Sequence, residues 1–311
     1  MEATNKTLVL EFMLKGFSGG AKLSIIVFVI IMFLFFIIVF GNTFLIIIIC
    51  INHQLHLPMY YFLAALSLME ILTNFLVIPK VLTIIIAGQT GISKEVCFTQ
   101  CFFYFFCTSS CFLFLGVMSF DRYVAICHPL RYCTIMRKKF CILLVFGCWA
   151  SAICSILYPI VVLSRMQYCS PILDHLFCDS AALVRVSCTD ATLIKVYGIF
   201  SAIFILIGPL TITIISYILI VFTVIRIPSD TGRQKTFSTC LAHLTMVAIV
   251  FGSAIFLEMR PPSYQSVEVN KVLILGTTML APLANPFVYT LRNKSVKDAI
   301  AVTLKRKKIF F

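Results

Sequence analysis

Charge is what this sequence most lacks. Of its 311 residues only 12% are charged and 61% are apolar, so it carries about half the charge of an ordinary soluble domain. A soluble globular fold is therefore excluded, and the composition predicts a membrane protein. Acidic residues are the scarcer kind, with 12 against 25 basic residues, which leaves a net charge of +13.

Long apolar runs divide the chain into seven candidate membrane spans. Each run is near or above the roughly 20 residues that a helix needs to cross a bilayer. One of them, Leu57–Pro79, is interrupted only by Glu70. The uncharged runs are Leu23–Ile51, Val96–Phe120, Phe140–Ser164, Val196–Ile225, Thr236–Leu257 and Val272–Leu291. We therefore predict an all-α membrane protein with a seven-helix transmembrane bundle over residues 23–291.

The basic residues are concentrated on one side, and this orients the predicted bundle. If the N-terminus lies outside, the inner loops and the segment after the last span hold 15 basic residues against Asp121, Asp230 and Asp298, a net charge of +12. The rest of the chain then carries 13 minus 12, or +1. Such an excess marks the cytoplasmic side and faces anionic membrane lipids. The positive charge therefore predicts no nucleic-acid partner.

The two ends of the chain add to this topology. Residues 1–22 contain no short apolar core followed by small residues, so we expect no cleavable signal peptide and an extracellular N-terminal segment. Asn5 begins a glycosylation sequon there, Asn5-Lys6-Thr7, which suits an outward-facing segment. Residues 292–311 mix apolar and basic side chains, as in a short amphipathic helix on the inner leaflet followed by a basic tail.

Several strings of residues carry a resemblance to a known family. MSFDRYVAICHPLRY, residues 118–132, follows the third span, and LHLPMYYFL, residues 55–63, enters the second. KTFSTCLAHL begins the sixth span and PLANPFVYTLRNK ends the seventh. In this order and at these spans, the strings resemble the signatures of odorant receptors, a branch of the rhodopsin-like (class A) G-protein-coupled receptors. The resemblance covers almost the whole chain.

The resemblance implies a ligand pocket in the outer half of the bundle. Counting helical turns back from Arg122 places several of its candidates on the inward face of span three. The candidates are Tyr104, Phe105, Thr108, Ser109, Phe112, Ser201, Ile205, Phe251, Ala254, Ile255, Glu258 and Thr278. Mostly apolar walls with a few hydroxyl groups suit a small, weakly polar molecule. The alternatives are helix packing for many of these positions and, for Glu258, pairing with Arg260 or water.

A switch on the inner side is also implied. Asp121 is expected to restrain Arg122 at rest, and Arg122 is expected to reach Tyr217 and Tyr289 when span six moves and opens a cleft for a G protein. The expected switch residues are Asp121, Arg122, Tyr123, Tyr217, Asn285, Pro286 and Tyr289. A proline beside a buried amide makes a helix that can bend.

Glu70 is the one acidic residue deep in a span, which makes it a functional candidate by default. In the receptor superfamily the matching acid can hold a sodium ion. Many odorant receptors carry a second acid on span three, but this chain has Cys111 there. We therefore favour a protonated Glu70 hydrogen-bonded to Asn285 over ion binding. Asn42, next to Gly41, is expected to form hydrogen bonds between helices.

Four cysteines lie on the predicted outer side, where disulfides are favoured and three pairings are possible. By resemblance to the family we assign Cys97–Cys178 and Cys169–Cys188, and the other ten cysteines are expected to be reduced. The string from His175 to Asp179 has been discussed for the family as a metal-binding pattern. A disulfide at Cys178 would remove its thiolate, so we expect no metal.

The function implied by the resemblance is detection of a small, volatile, mainly apolar molecule and activation of a stimulatory, olfactory-type G protein that raises cyclic AMP. The resemblance implies a location in the plasma membrane, in the cilia of sensory neurons. No cofactor is expected. The alternatives are a rhodopsin-like receptor for a non-odorant ligand and a secondary transporter. A transporter is disfavoured because the sequence has no visible internal repeat and little charge at mid-membrane. Against an enzyme stands the lack of a nucleophile–base pair in the spans.

Overall fold

Long apolar helices dominate the computed structural model, which describes residues 9–17, 21–226, 229–258 and 266–309. Within these ranges the side chains of 230–232, 234–239, 258, 292, 294 and 304–309 are left out. Asn5 lies outside the described residues. The helices are α1 (Ala21–Ile51), α2 (Pro58–Ala87), α3 (Lys94–Cys127), α4 (Tyr132–Ile135), α5 (Lys138–Arg165), α6 (Ser180–Arg185), α7 (Thr192–Ala202), α8 (Gly208–Ile225), α9 (Asp230–Glu258), α10 (Val267–Arg292) and α11 (Lys294–Ile309).

Seven helical stretches of the described residues are long and apolar enough to cross a membrane. One of them runs from Thr192 to Ile225 and combines α7, a π-helical segment at Ile203–Ile207, and α8. The seven-helix bundle predicted from the apolar runs is therefore confirmed. The short helix expected after the last span is α11.

The helices extend beyond the apolar runs from which they were predicted. Helix α3 begins at Lys94, where the Ser93 hydroxyl accepts a hydrogen bond from the Val96 N–H at 3.4 Å. It continues past Asp121 and Arg122 to Cys127 and stops where His128 precedes Pro129. Charged residues tolerate the helical backbone, and only a proline or a change of backbone direction ends it. The Asp-Arg pair thus lies within the last two turns of α3.

The fifth span changes from a π-helical to an α-helical form just before Pro209. The π-helical segment precedes Gly208, and Pro209 then occupies the first turn of α8, where its missing N–H costs least. Gly116 of α3 packs against this turn. A Cβ atom on Gly116 would lie 2.8 Å from the Pro209 Cβ, so only glycine permits this approach of the two helices.

A three-stranded sheet closes the outer end of the bundle, a feature that the all-α prediction did not include. Its strands are β1 (Glu11–Lys15), β2 (Gln89–Ser93) and β3 (Ile172–Leu173), in the order β2-β1-β3. Strand β1 pairs antiparallel with β2 and parallel with β3. Phe12 and Leu14 of β1 are fully buried, and the Phe12 ring packs edge-on against Tyr168 at 5.0 Å. The N-terminal segment is therefore part of an outer cover, by which we mean this sheet together with the long outer loop between α5 and α7.

Candidate functional site

The outer pocket candidates form two groups of contacts. The Tyr104 hydroxyl lies 3.5 Å from the Thr278 Oγ1, which joins α3 to α10. The Tyr104 ring also packs against Phe177 of the long outer loop at 4.7 Å. About two turns deeper on α3, the Phe112 and Phe251 rings meet edge-on at 5.2 Å and join α3 to α9. These pairs place two aromatic layers beneath the outer cover.

The other pocket candidates are more dispersed. Ser109, Ile205 and Phe251 are buried, whereas Thr108, Phe112, Ser201, Ala254, Ile255 and Thr278 are half-buried. Phe105 packs with the cluster around the outer cysteines. The side chain of Glu258 lies outside the described part, although its backbone ends α9.

Two disulfides attach the outer loop. Cys97 pairs with Cys178 and Cys169 pairs with Cys188, with Cα atoms 5.3 and 5.4 Å apart. The Cys178 N–H also donates to the Gln100 Oε1 at 3.0 Å, and the Gln100 amide donates to the Leu76 carbonyl oxygen of α2 at 2.7 Å. Gln100 was not singled out from the sequence, although a lone amide one turn after Cys97 could have suggested this role.

Lys271 also attaches the outer cover to the bundle, and this role was not predicted from the sequence. Its ammonium lies 2.8 Å from the Gly16 carbonyl oxygen, 2.6 Å from Asp174 and 3.1 Å from Glu268. The lysine side chain has no exposed surface, whereas the two carboxylate side chains are 44% and 43% exposed. One buried cation therefore joins the N-terminal segment, the outer loop and α10. Lys271 immediately precedes the apolar run from which the seventh span was predicted. That prediction therefore did not include it.

His175 lies in the same loop and is almost completely buried, with 3% exposure. Its Nδ1–H donates to the Phe177 carbonyl oxygen at 2.9 Å. Burial lowers the pKa of this imidazole below its ordinary value, so it is neutral near pH 7. Among the described residues, no three histidine, cysteine or acidic side chains are grouped to hold a metal ion.

A polar network crosses the middle of the bundle. The Asn285 amide donates to the Glu70 Oε2 at 2.7 Å, the contact expected from the sequence, and also lies 3.1 Å from the Ser67 Oγ and the Asn42 Oδ1. Asn42 in turn donates to the Pro282 carbonyl oxygen at 2.9 Å. Helices α1, α2 and α10 are thus joined through buried hydrogen bonds.

Pro286 owes its position to a small neighbour on α1. A Cβ atom on Gly41 would lie 2.8 Å from the Pro286 Cγ. The proline can therefore approach α1 only because residue 41 is glycine. This contact stands next to the Asn42 hydrogen bonds, so the bendable part of α10 is held closely against α1.

At the inner end of α3, the Asp121 carboxylate receives two partners. The Arg122 guanidinium forms an ion pair with the Asp121 Oδ2, with the Nε donating at 3.0 Å. The Tyr132 hydroxyl of α4 donates to the Asp121 Oδ1 at 2.8 Å. Asp121 is fully buried, so it depends on these donors. Tyr132 belongs to the same quoted string as Arg122 but was not assigned a role from the sequence.

The other inner switch candidates have partners of their own. The Tyr217 hydroxyl donates to the His243 Nδ1 at 2.8 Å, and the His243 Nε2 donates to the Leu115 carbonyl oxygen at 3.2 Å. Tyr289 is fully buried, and its hydroxyl has no hydrogen-bond partner among the described residues. Tyr123 contacts His128, with 2.9 Å between the hydroxyl and the Nε2. His243 links α3, α8 and α9; as the histidine of span six, it was visible in the sequence but unassigned.

The Asp121–Arg122 ion pair expected from the sequence is present, whereas its role as a resting restraint stays a prediction. Arg122 is held by Asp121, and Tyr217 is held by His243. The contacts of Arg122 with Tyr217 and Tyr289 belong to the expected active state, and that state is still a prediction.

Comparisons with known proteins identify the family. The family model described as olfactory receptor matches residues 31–307. The chain is 42% identical over 296 residues to olfactory receptor 6E1 of Mus musculus, covering 94% of this chain and 95% of that protein. It is 38% identical over 303 residues to olfactory receptor 6C2 of Homo sapiens, covering 97% of each.

Among solved structures, squid rhodopsin superposes with a TM-score of 0.69 at 14% identity and covers 92% of this chain and 87% of that one. At this identity the likeness shows the fold alone, a seven-helix bundle. Together with the apolar spans, the matches show a multi-pass membrane protein of a family of signalling receptors rather than enzymes. The chain belongs to the olfactory receptor family.

Proposed function

We propose that this receptor binds a small, volatile, mainly apolar molecule between the outer halves of its helices and activates a stimulatory, olfactory-type G protein, which raises cyclic AMP. The observation that carries the proposal is the geometry of α3. Its outer half holds Tyr104 and Phe112, and its inner end holds the restrained Arg122. We place the receptor in the plasma membrane of sensory cilia.

The chemistry of the ligand follows from the side chains at its site. Phe112 and Phe251 offer aromatic faces, and the hydroxyl groups of Tyr104 and Thr278 offer a few hydrogen bonds. Tyr104 stands where an amine receptor would usually need an acid. An uncharged molecule of low polarity therefore suits the site best.

Ligand binding would act by selecting between two states of the bundle. A ligand can shift an equilibrium only by binding one state more tightly than the other. Phe251 belongs to α9, and the same helix carries His243 at its inner end. A ligand that fits only when α9 has moved would therefore break the contact between His243 and Tyr217. Tyr217 would then be free to receive Arg122.

We expect Leu130 to supply an apolar contact for the G protein. Leu130 is 98% exposed in the short turn Pro129–Arg131 between α3 and α4. In the predicted orientation the turn lies on the cytoplasmic side, so this leucine is available to a partner protein there. The turn follows directly from the helix that carries Arg122.

Phe112→Ala tests the pocket. For any odorant that activates the receptor, we expect the half-maximal concentration in a cyclic-AMP assay to rise about tenfold or more, because burying a phenylalanine ring contributes about 1.5–3 kcal/mol. The matched control is Phe103→Ala on the same helix. That ring is 43% exposed at the lipid-facing surface, so its loss should leave potency unchanged. Equal effects of both variants would show that Phe112 acts through packing rather than through the ligand.

Tyr132→Phe tests the resting restraint. The change removes one of the two donors that hold Asp121 and leaves the ring in place. A hydrogen bond to a charged group contributes about 1.5–3 kcal/mol, so we expect cyclic AMP without ligand to rise several-fold at equal surface expression. Tyr61→Phe is the control, because that ring contacts His56 rather than Asp121. An unchanged basal level in Tyr132→Phe would contradict the proposed restraint.

A further inference from the structure

A cavity of about 160 Å³ lies near the outer end, between the long outer loop and the first turns of α10. Its polar lining comes from Asp174, His175, Asp179, Arg185 and Asn270. None of the proposed odorant-pocket residues with described side chains lines it. The cavity is therefore a separate feature, and the proposed function makes no use of it.

Two buried acceptor atoms of this lining have no hydrogen-bond partner among the residues that the structure describes. The His175 Nδ1 lies 2.9 Å from the Phe177 carbonyl oxygen, which can only accept, and 3.4 Å from the Phe177 N–H. The shorter contact assigns the proton to Nδ1, so the Nε2 presents a lone pair. Neither this Nε2 nor the Asn270 Oδ1 has a hydrogen-bond partner among the described residues. Buried polar atoms are nearly always paired in folded proteins, so orphaned acceptors indicate that something else fills the site.

The charges around the cavity also favour a hydrogen-bond donor. Asp179 is half-buried, whereas Arg185 is exposed, so water screens the arginine more strongly than this carboxylate. The nearby ammonium of Lys271 already has the Gly16 carbonyl oxygen and Glu268 as partners besides Asp174. The buried atoms of His175 and Asn270 that have no hydrogen bond to a described residue are both acceptors.

We propose that this outer cavity binds a short primary alkylammonium ion. Its three N–H donors would meet the His175 Nε2, the Asn270 Oδ1 and a carboxylate oxygen of the loop, while its alkyl chain would lie against Val267 and Ile274, which also line the cavity. At about 30 Å³ for a water-sized group, the cavity has room for roughly five such groups. An apolar molecule would leave both acceptors unpaired.

The test uses n-butylammonium, which has five heavy atoms, and 1-butanol as the uncharged probe of equal size. Binding to the purified receptor in lipid nanodiscs is titrated by saturation-transfer NMR. We expect saturable binding of n-butylammonium and at least tenfold weaker binding of 1-butanol, because hydrogen bonds from a charged donor are the stronger kind. Equal binding of the two probes, or no saturable binding of n-butylammonium, would overturn the proposal.

Two variants locate the site. His175→Phe keeps a ring beside Phe177, and Asn270→Leu keeps the side-chain volume; each should weaken n-butylammonium binding about tenfold. The control is Asp190→Asn, an acid of the same loop whose contact is with Thr192, outside the cavity. It should bind like the wild type. Wild-type affinity in both cavity variants would place the ion elsewhere. Because no signalling is measured, this result is independent of the proposed response to odorants.

Discussion

Arg122→Ala is expected to reach the cell surface and to give no G-protein response to any odorant. The guanidinium is the group that would leave Asp121 and reach Tyr217 in the active state, and alanine cannot make that contact. The Arg122 side chain is only 13% exposed, so surface staining checks that the variant still folds. The measurement is ligand-dependent cyclic AMP alongside surface staining.

The control for this prediction must remove a basic side chain nearby without touching the switch. Lys139→Ala does so, because Lys139 is an exposed residue in the first turn of α5 on the inner side. It should keep most of the response. In Arg122→Ala, the buried Asp121 carboxylate keeps only the Tyr132 hydroxyl as a partner. The double variant D121N/R122A removes that charge as well, and it should give no response either. An undiminished response of Arg122→Ala would refute the assigned role.

The second large effect is expected from the disulfide between Cys97 and Cys178. It joins residues 81 positions apart and attaches the outer loop to α3. Loss of a native disulfide typically costs about 2–5 kcal/mol of stability, and the cost in the chain-entropy account rises with the length of the closed loop. We therefore expect the C97S/C178S variant to unfold at a markedly lower temperature than the wild type in detergent and to show reduced surface expression.

The matched control is C169S/C188S, which opens a loop with a separation of only 19 residues. Its thermal unfolding temperature should fall less. The Gln100 contact with the Cys178 N–H remains in both variants, so the comparison isolates the two covalent links. An equal or larger loss in the control would show that the long link is not the main fastening of the cover.

The spans could be predicted because membrane crossing depends on length and apolarity, which are local properties of the sequence. Their ends could not. Asp121 and Arg122 end an apolar run, yet α3 continues to Cys127 because charged side chains at a membrane boundary keep the backbone helical. The three-stranded sheet was not predicted from the sequence either. Its pairs join distant segments, such as Glu11 with Ser93, and β3 has two residues, too few for a recognisable pattern.

The candidate site shows the same difference between features that the local sequence indicates and features that depend on distant elements. The contact between Glu70 and Asn285 was expected, because a lone acid in a span needs a buried donor. The partners of Lys271 and His243 lie on other elements, and no spacing in the sequence points to them. Side-chain roles in the odorant pocket are proposals, since selectivity rests on differences of about 1–3 kcal/mol that residue types do not reveal.

The most direct test of the proposed function is a cyclic-AMP assay in cells that carry this receptor and an olfactory-type G protein, screened with a broad odorant panel while surface expression is stained in parallel. The account predicts a dose-dependent response to at least one volatile, mainly apolar compound, with the response lost in Arg122→Ala. A receptor that stains well at the surface but stays silent across the panel, or one whose response survives in Arg122→Ala, would contradict it.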